Sequence, residues 1–157
     1  MAFISISITK NHPLILGKGG FGRQLADWLS AEGWGEAEFL DDSAPGCVGG
    51  LRDYADPKLL KPGRPAFVAL GDNALRVELL QKLAAAGYDT PVFISDMAAV
   101  SPSAVLEPGC VILPQAYVGA DAHLGVGCII NGGAIVDHDA VLGRGVHVAP
   151  GGIVKAG

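Results

Sequence analysis

The sequence predicts two domains of different architecture: a small α/β domain of the Rossmann-like type, built on a parallel sheet, followed by a parallel β-helix. In the second half of the chain, aliphatic residues recur every six positions without interruption. In the first half, short apolar stretches alternate with helical patterns, and the first stretch runs into a glycine-rich turn. We divide the 157 residues into an N-terminal extension (1–12), the α/β domain (13–95) and the β-helix (96–157).

The six-residue period runs from Val100 to the end of the chain. Its aliphatic positions are Val100, Leu106, Ile112, Val118, Leu124, Ile130, Val136, Leu142, Val148 and Val154. The position four residues later holds a small residue or Val: Ala104, Cys110, Ala116, Ala122, Cys128, Ala134, Ala140, Val146 and Gly152. An α-helix repeats every 3.6 residues and a strand every two, so a period of six indicates a β-helix in which each hexad is one face. Residues three hexads apart then stack at the strand spacing of roughly 4.8 Å.

Two cysteines share the small inward position. Cys110 and Cys128 are one coil apart, so we expect them to stack as small buried side chains, with a redox pair as the alternative.

Composition and charge exclude several kinds of partner. A formal net charge of -5 argues against nucleic acid or an acidic membrane, because the chain has no basic run to neutralise phosphates. No apolar stretch has the length of a membrane span, and the start lacks the features of a signal peptide. We therefore expect a cytoplasmic protein.

The α/β domain begins with a strand, a glycine-rich turn and a helix. The strand at 13–16 leads into GKGGFG, in which Gly17, Gly19 and Gly22 have the spacing G-x-G-x-x-G. The helix that follows is predicted to end near Gly33. Such a turn lets the backbone approach a ligand and directs amide N–H groups at an anion. The alternative is that the glycines serve the tight turn alone.

A pair of carboxylates follows the next strand. The strand at 36–40 ends in Asp41 and Asp42, about 20 residues after the glycines, where Rossmann-type sites hold a ribose or a base. We therefore expect a nucleotide at the carboxyl ends of the strands, where the glycine turn, the two carboxylates and Gly71 converge.

The rest of the α/β domain is predicted to contain two further strands. The Pro- and Gly-rich stretch at 43–65 leaves room for one short helix near 51–60. A strand at 66–70 precedes a helix that Asp72 or Asn73 can cap and that Gly87 ends. A fourth strand at 91–94 is expected to complete the parallel sheet before the chain enters the hexads.

The order of these motifs resembles one family. GKGGFG, FLDD, FVALGDNALR, VSPSA and INGGAIVDHDAVLGRGVHVAPGG are similar to segments of the sialic acid and bacterial amino-sugar acetyltransferases, over residues 13–157. The resemblance implies a left-handed β-helix, a nucleotide-sugar-binding N-terminal domain and a homotrimer. It also implies that acetyl-CoA and a nucleotide-linked amino sugar are the substrates, as for UDP-4-amino-sugar and GDP-perosamine N-acetyltransferases.

The same resemblance implies roles for individual residues. His138 is the general base, and Asp139 raises its basicity. His147 and Ala156 contact acetyl-CoA, and Asn131 orients the acceptor. The residues implied for nucleotide-sugar binding are Gly20, Phe21, Gly22, Asp41, Asp42 and Gly71. Phe21 stands where members often have His, which puts a polar contact to the sugar or phosphate in doubt.

Other functions stay open at this point. From the residues alone, a solvated corner of the β-helix is favoured for His138 over a general base. Sialate or sugar O-acetylation is the alternative reaction. A metal-dependent hydratase is disfavoured, because His123, His138 and His147 lack the close spacing typical of its ligands, and we expect no metal.

The chain stops within the hexad that opens at Val154. Members of the resembling family carry further coils, so we expect an incomplete β-helix. A chain that binds sugar nucleotide without catalysing transfer is therefore a further alternative.

Overall fold

The structure is a computed structural model that describes residues 12–61 and 63–157. Apart from His12, the predicted N-terminal extension lies outside the described residues. The α/β domain contains β1 (Leu14–Leu16), α1 (Gly20–Ala31), β2 (Glu38–Leu40), β3 (Ala66–Val68) and α2 (Asn73–Ala86). Its strands are parallel and have the order β2-β1-β3.

The carboxyl ends of these strands reach one edge of the sheet. Leu16 is level with Leu40 on one side and with Val68 on the other. The residues that follow each strand are therefore neighbours, as the sequence predicts for the glycine turn, the carboxylate pair and Gly71.

Local signals set the bounds of α2. The Asp72 carboxylate accepts a hydrogen bond from the Leu75 amide at 2.8 Å, so Asp72 and not Asn73 is the N-cap. Gly87 ends the helix with a φ of 103°, a left-handed conformation that glycine adopts without steric cost.

The short helix predicted near 51–60 forms over three residues only. Only a single 3-10 turn forms there, at Asp53–Ala55. The chain leaves helical conformation at Asp56, which has a ψ of 122° and precedes a proline. The ring of Pro57 disfavours helical backbone at the residue before it, so the turn cannot propagate.

The β-helix consists of two-residue strands. They are β4 (Phe93–Ile94), β5 (Ala99–Val100), β6 (Val105–Leu106), β7 (Val111–Ile112), β8 (Tyr117–Val118), β9 (His123–Leu124), β10 (Ile129–Ile130), β11 (Ile135–Val136), β12 (Val141–Leu142), β13 (His147–Val148) and β14 (Ile153–Val154). All pair in parallel with strands one coil away. The first face is β4-β7-β10-β13, the second β5-β8-β11-β14 and the third β6-β9-β12.

The fourth strand predicted for the α/β sheet belongs to the β-helix instead. Phe93 and Ile94 pair with Val111 and Ile112, and the Phe93 amide donates to the Cys110 carbonyl at 2.9 Å. Ile94 lies one hexad before Val100, so the repeat begins earlier than the sequence pattern indicated. A short apolar stretch satisfies its backbone equally well in either sheet, and only the tertiary pairing distinguishes them.

The second residue of each strand points into the β-helix and the first points out. The interior contains the aliphatic and small positions of the hexads, including both cysteines, whose thiols donate to the Gly125 and Gly143 carbonyls. On the first face, the outward residues Phe93, Val111 and Ile129 are buried against the α/β domain. The α/β domain is therefore packed on the first face of the coils.

Within residues 12–61 and 63–157, neither α1 nor α2 has the length and apolar character that crossing a membrane requires.

Candidate functional site

The glycine turn is folded tightly between β1 and α1. Gly17 has a φ of 101°, and a Cβ at this position would lie 2.7 Å from the Ala69 carbonyl oxygen. A Cβ at Gly22 would lie 1.9 Å from the Gly17 carbonyl oxygen. The close approach of α1 to the turn therefore requires glycine at both positions. Gly19 and Gly20 are exposed and have open space around them.

Asp41 holds the glycine turn to the loop after β2. One carboxylate oxygen accepts from the Lys18 amide at 2.8 Å, and the other accepts from the amides of Ser43 and Ala44, both at 2.9 Å. These backbone donors lower the pKa of Asp41 to about 2, with the Lys18 amide as the largest cause. Asp41 therefore acts on the shape of the loops, and its predicted contact with a ligand stays a prediction.

Asp42 faces a different environment. Its Oδ1 accepts from the Leu51 amide at 2.9 Å. The same side chain lines a cavity of about 110 Å³, together with Leu51, Arg52, Leu75 and Leu79. Three leucines line this cavity together with the Asp42 carboxylate and the Arg52 side chain, a combination that suits a flat ring with polar substituents.

Two cations border the glycine turn. The Lys18 ammonium donates to the Pro45 carbonyl at 2.6 Å and lies 5.3 Å from the centre of the Phe39 ring. The Arg23 guanidinium donates to the Lys18 carbonyl at 3.1 Å. Both positive charges lie beside the amides of the turn, which favours an anion there.

His147 brings the β-helix into this site. It continues the outward row of Phe93, Val111 and Ile129 on the first face, because it pairs with Ile129. Its ring lies 6.3 Å from the ring of Phe21, between centres, with the planes 38° apart. The position at which the family resemblance suggested a lost polar contact thus provides an aromatic contact to His147.

The surroundings of His147 favour its neutral form. The Asn131 side-chain nitrogen lies 3.1 Å from His147 Nε2. Partial burial lowers the pKa of His147, and the positive charge of Arg76 lowers it further. Asn131, the residue predicted to orient the acceptor, therefore contacts the second histidine of the site.

Arg76 joins the two domains beneath the site. Its side chain is 1% exposed and donates to the Gly127 carbonyl at 2.9 Å and the Gly145 carbonyl at 2.6 Å. It also donates to the Leu70 carbonyl at 2.7 Å, immediately before Gly71. Gly71 itself is exposed at the carboxyl end of β3. Arg76 therefore connects the loop after β3 to the β-helix at Gly127 and Gly145.

His138 and Asp139 form a pair at another corner of the β-helix. His138 Nδ1 and an Asp139 carboxylate oxygen are 2.7 Å apart, and both side chains are exposed. The hydrogen bond to Asp139 raises the pKa of His138, and the charge of Asp137 adds to this. Asp139 has a φ of 59°, so this corner keeps its carboxylate in a backbone conformation that Asp and Asn tolerate better than most residues.

Within one chain, the pair of His138 and Asp139 does not contact the residues predicted for the site in the α/β domain. In the described part of the chain, His138 and Asp139 contact each other and neighbouring corners of the β-helix, and no hydrogen bond joins them to the α/β domain. Ala156 is exposed at the same corner one coil further along, since β11 pairs with β14. Within one chain, the predicted site residues therefore form two separate groups. His147, Asn131 and Phe21 lie near the glycine turn, and His138 and Asp139 lie at a corner of the β-helix after β11.

Arg76 and Lys18 were not predicted as site residues from the sequence. Arg76 lies on the same face of α2 as Leu79, Leu80 and Leu83, all buried, and a lone cation in an apolar stripe was the available signal. The contact of Lys18 with Pro45 depends on how the loop after β2 folds, and no sequence pattern indicates it.

No group of three or more His, Cys, Asp or Glu residues that could hold a metal ion is found within residues 12–61 and 63–157.

Comparison with known proteins adds independent evidence. The family model described as the PglD N-terminal domain matches residues 14–83. The acetyltransferase domain of PglB from Neisseria gonorrhoeae, in complex with acetyl coenzyme A, is 36% identical to this chain. That match has a TM-score of 0.80 and covers 91% of this chain and 72% of the PglB domain.

Two further structures are similar. PerB from Caulobacter crescentus, in complex with CoA and GDP-perosamine, is 33% identical, with a TM-score of 0.78 and coverage of 88% of this chain and 69% of that one. WeeI from Acinetobacter baumannii is 16% identical, with a TM-score of 0.58 and coverage of 87% and 93%. At this identity, the likeness to WeeI supports the fold alone.

Proposed function

The chain belongs to the sugar acetyltransferase family of PglB and PerB, and we propose that it transfers an acetyl group from acetyl-CoA to the amino group of a nucleotide-linked sugar. The acetyltransferase activity and the left-handed β-helix follow from the family. The identity of the acceptor and the roles of the residues are our proposal. Its main support is the hydrogen bond between His138 Nδ1 and the Asp139 carboxylate.

This hydrogen bond suits His138 to general-base catalysis. An acceptor carboxylate at Nδ1 keeps the proton of the neutral imidazole on that nitrogen and leaves Nε2 free to accept one. Asp139 also stabilises the imidazolium that forms, which is why the pKa of His138 is raised. The exposure of the pair lets a substrate amine reach it.

The reaction then needs no acyl-enzyme. His138 Nε2 takes a proton from the amine nitrogen as that nitrogen bonds to the thioester carbonyl carbon. The carbon–sulfur bond breaks, the new amide remains on the sugar, and the thiolate receives the proton held by His138. Every proton is thus returned, and no oxidant or metal enters the balance.

The α/β domain offers features for the nucleotide. The amides of the glycine turn, Gly20 to Gly22, together with the charges of Lys18 and Arg23, suit the diphosphate. The cavity beside Asp42 suits the base, because three leucines can pack on a ring and the carboxylate can accept from ring N–H groups, with Arg52 also in the lining. We propose Asp42, and not Asp41, as the carboxylate that contacts the nucleotide.

The acetyl-CoA site is proposed at the β-helix. His147 is partly exposed, and its Nδ1 forms no hydrogen bond within the described residues, so it can donate to a carbonyl oxygen. Ala156 is an exposed small residue one coil beyond His138, where a slender chain can pass.

A homotrimer would unite the two groups of residues. The second face of the β-helix exposes an outward row of apolar residues, Tyr117, Ile135 and Ile153. Packing this face on another copy would bury the row, and we propose that it brings His138 of one chain to the glycine turn of its neighbour. Sedimentation velocity at several concentrations tests the assembly, and a monomer at all of them would contradict it.

The acetyl transfer is tested with acetyl-CoA and a panel of acceptors: UDP- and GDP-linked 4-amino sugars and CMP-sialate. Thiol release measures turnover, and hydroxylamine treatment of the product distinguishes a resistant amide from a cleavable ester. We expect an amide from one class of amino sugar. An ester formed on sialate, with no amide, would instead establish the O-acetyltransferase alternative.

A further inference from the structure

The orientation of the Asn131 amide is fixed by the backbone. Its Oδ1 accepts a hydrogen bond from the Gly132 amide at 2.8 Å, and only the oxygen of a carboxamide can do so. The other end of the amide is therefore the NH2 group. With 8% of its surface exposed, Asn131 is held in this orientation by its surroundings.

This orientation determines the protonation of His147. The Asn131 NH2 group faces His147 Nε2 at 3.1 Å and can only donate. Nε2 must then accept, which requires it to carry no proton. An imidazole without a proton on Nε2 carries it on Nδ1 and is neutral. Among residues 12–61 and 63–157, the charged group that acts on this ring is Arg76 of α2, which also disfavours a second proton, while Phe21 of α1 is uncharged.

We propose that Asn131 is a positioning residue that holds His147 as the neutral tautomer protonated on Nδ1, so that His147 donates a hydrogen bond to the acetyl carbonyl oxygen and does not act as a base. The first part stands on the contacts above. The second part rests on the proposed function, since it requires acetyl-CoA as the co-substrate.

The donor has a defined task in the reaction. Attack of the amine nitrogen on the carbonyl carbon transfers an electron pair to the carbonyl oxygen, and a fixed N–H donor stabilises this charge. The carbonyl re-forms as the carbon–sulfur bond breaks. His147 keeps its Nδ1 proton throughout, and the proton of the amine goes to His138.

The tautomer is measured by nitrogen-15 NMR of the histidine-labelled full chain near neutral pH. Loss of one set of signals in His147→Gln assigns His147 among the four histidines. We expect a protonated-nitrogen shift for Nδ1 and an unprotonated one for Nε2. The matched variant is Asn131→Asp, in which the carboxylate can still accept from Gly132 but can no longer donate to Nε2.

In Asn131→Asp we expect His147 Nε2 to gain a proton, with a melting temperature close to that of the unaltered protein. A proton on Nε2 in the unaltered protein, or the same nitrogen shifts in both proteins, would overturn the positioning role. This measurement needs no substrate, so it tests the positioning role of Asn131 even if the proposed function is wrong.

The donor role is tested by two substitutions of His147. An Asn side chain presents its NH2 group near the position of Nδ1, and a Gln side chain presents it near that of Nε2. We expect His147→Gln to reduce kcat by roughly 10²–10³-fold, the usual cost of losing one oxyanion donor. His147→Asn should recover most of this loss.

The thioester carbonyl gives a second readout. In the infrared spectrum of carbon-13-labelled acetyl-CoA bound to the protein, a donor to its oxygen lowers the carbonyl frequency. We expect the lowered frequency in the unaltered protein and in His147→Asn, and not in His147→Gln. Full activity of His147→Gln with loss in His147→Asn would assign the contact to Nε2 and overturn the proposal. Absence of acetyl transfer by the unaltered protein would contradict the proposed function alone.

Discussion

The base strength proposed for His138 depends on two neighbouring carboxylates, that of Asp139 through a hydrogen bond and that of Asp137 through its charge. As the proposed base, His138 must be neutral to accept a proton, so activity is expected to rise with pH through its pKa, which the hydrogen bond to the Asp139 carboxylate raises. Because the pair is exposed, substitutions at Asp139 change the chemistry without disturbing the core.

Asp139→Asn tests this dependence. Asn tolerates the φ of 59° and keeps the side-chain shape, but it removes the charge that raises the pKa of His138. The acidic limb of the kcat/KM profile should therefore move to lower pH. The plateau of kcat should fall roughly tenfold, a part of the 10²–10⁴ that general-base catalysis supplies.

His138→Ala is the control for this experiment. It should remove most of the general-base contribution while leaving the affinity for the sugar nucleotide unchanged. An unshifted pH profile in Asp139→Asn, or equal turnover in His138→Ala, would contradict the assignment of the base.

Asp41 is a residue whose charge serves stability. Its pKa is lowered to about 2 from 3.8, so its hydrogen bonds stabilise the fold fully above pH 3.8 and are lost as the pH falls through about 2. Asp41→Asn should reduce the free energy of unfolding at neutral pH by about 1–2 kcal/mol, since an amide cannot accept at both ends.

The test is urea unfolding of both proteins between pH 2 and 6. The difference in stability should shrink as the pH approaches about 2, where the unaltered protein also loses the charge. Asp42→Asn is the matched variant: it should weaken sugar-nucleotide binding with little change in stability. If Asp41→Asn weakened sugar-nucleotide binding and Asp42→Asn reduced stability, Asp41 would be the ligand contact and Asp42 the stabilising residue.

At the scale of elements, α1 is positioned by the contact between its first turn and the glycine turn. Gly22→Ala would bring a methyl group 1.9 Å from the Gly17 carbonyl oxygen, a backbone atom that cannot move independently. We expect a loss of ~3 kcal/mol in the free energy of unfolding, at the upper end of overpacking costs.

Gly20→Ala is the matched control, because it lies in the same helix and its Cβ would meet nothing within 4 Å. It should leave stability unchanged or raise it slightly, since alanine has the higher helix propensity. Chemical denaturation of both variants measures the difference, and equal stabilities would show that the turn relaxes to accommodate a side chain.

At the scale of the whole molecule, the relative position of the domains depends on α2 and on the buried row along the first face. Arg76 donates to carbonyls at the same corner of two successive coils of the β-helix, and to one in the loop after β3. Arg76→Met would fill the same space and leave these buried acceptors unpaired. We expect a loss of about 3 kcal/mol or more, at 1–3 kcal/mol for each unsatisfied group.

Lys82→Met provides the comparison on the same helix. Lys82 forms an exposed ion pair with Glu78, which typically contributes less than about 1 kcal/mol. Denaturation followed by tryptophan fluorescence reports on the α/β domain, which contains both Trp28 and Trp34. Equal effects of the two substitutions would mean that Arg76 does not hold the domains together.

The amino-acid pattern is sufficient to predict the β-helix and to predict which residues meet at the carboxyl edge of the α/β sheet. The six-residue period fixes which residues face inward, because every hexad repeats the same backbone geometry. The glycine turn and Asp41 follow directly from their strands, and parallel strands bring such residues to one edge. Local signals also set the ends of α2, at Asp72 and Gly87.

The contact between the two domains, and the residues that meet there, depend on tertiary packing. Phe93 and Ile94 fit either sheet by composition, and their pairing with β7 depends on a coil that is formed by residues further along the chain. Arg76, Phe21 and His147 are distant in sequence and meet because the α/β domain packs on the first face. No local pattern encodes such contacts, since they arise from the complementary shapes of surfaces that form only after each domain has folded.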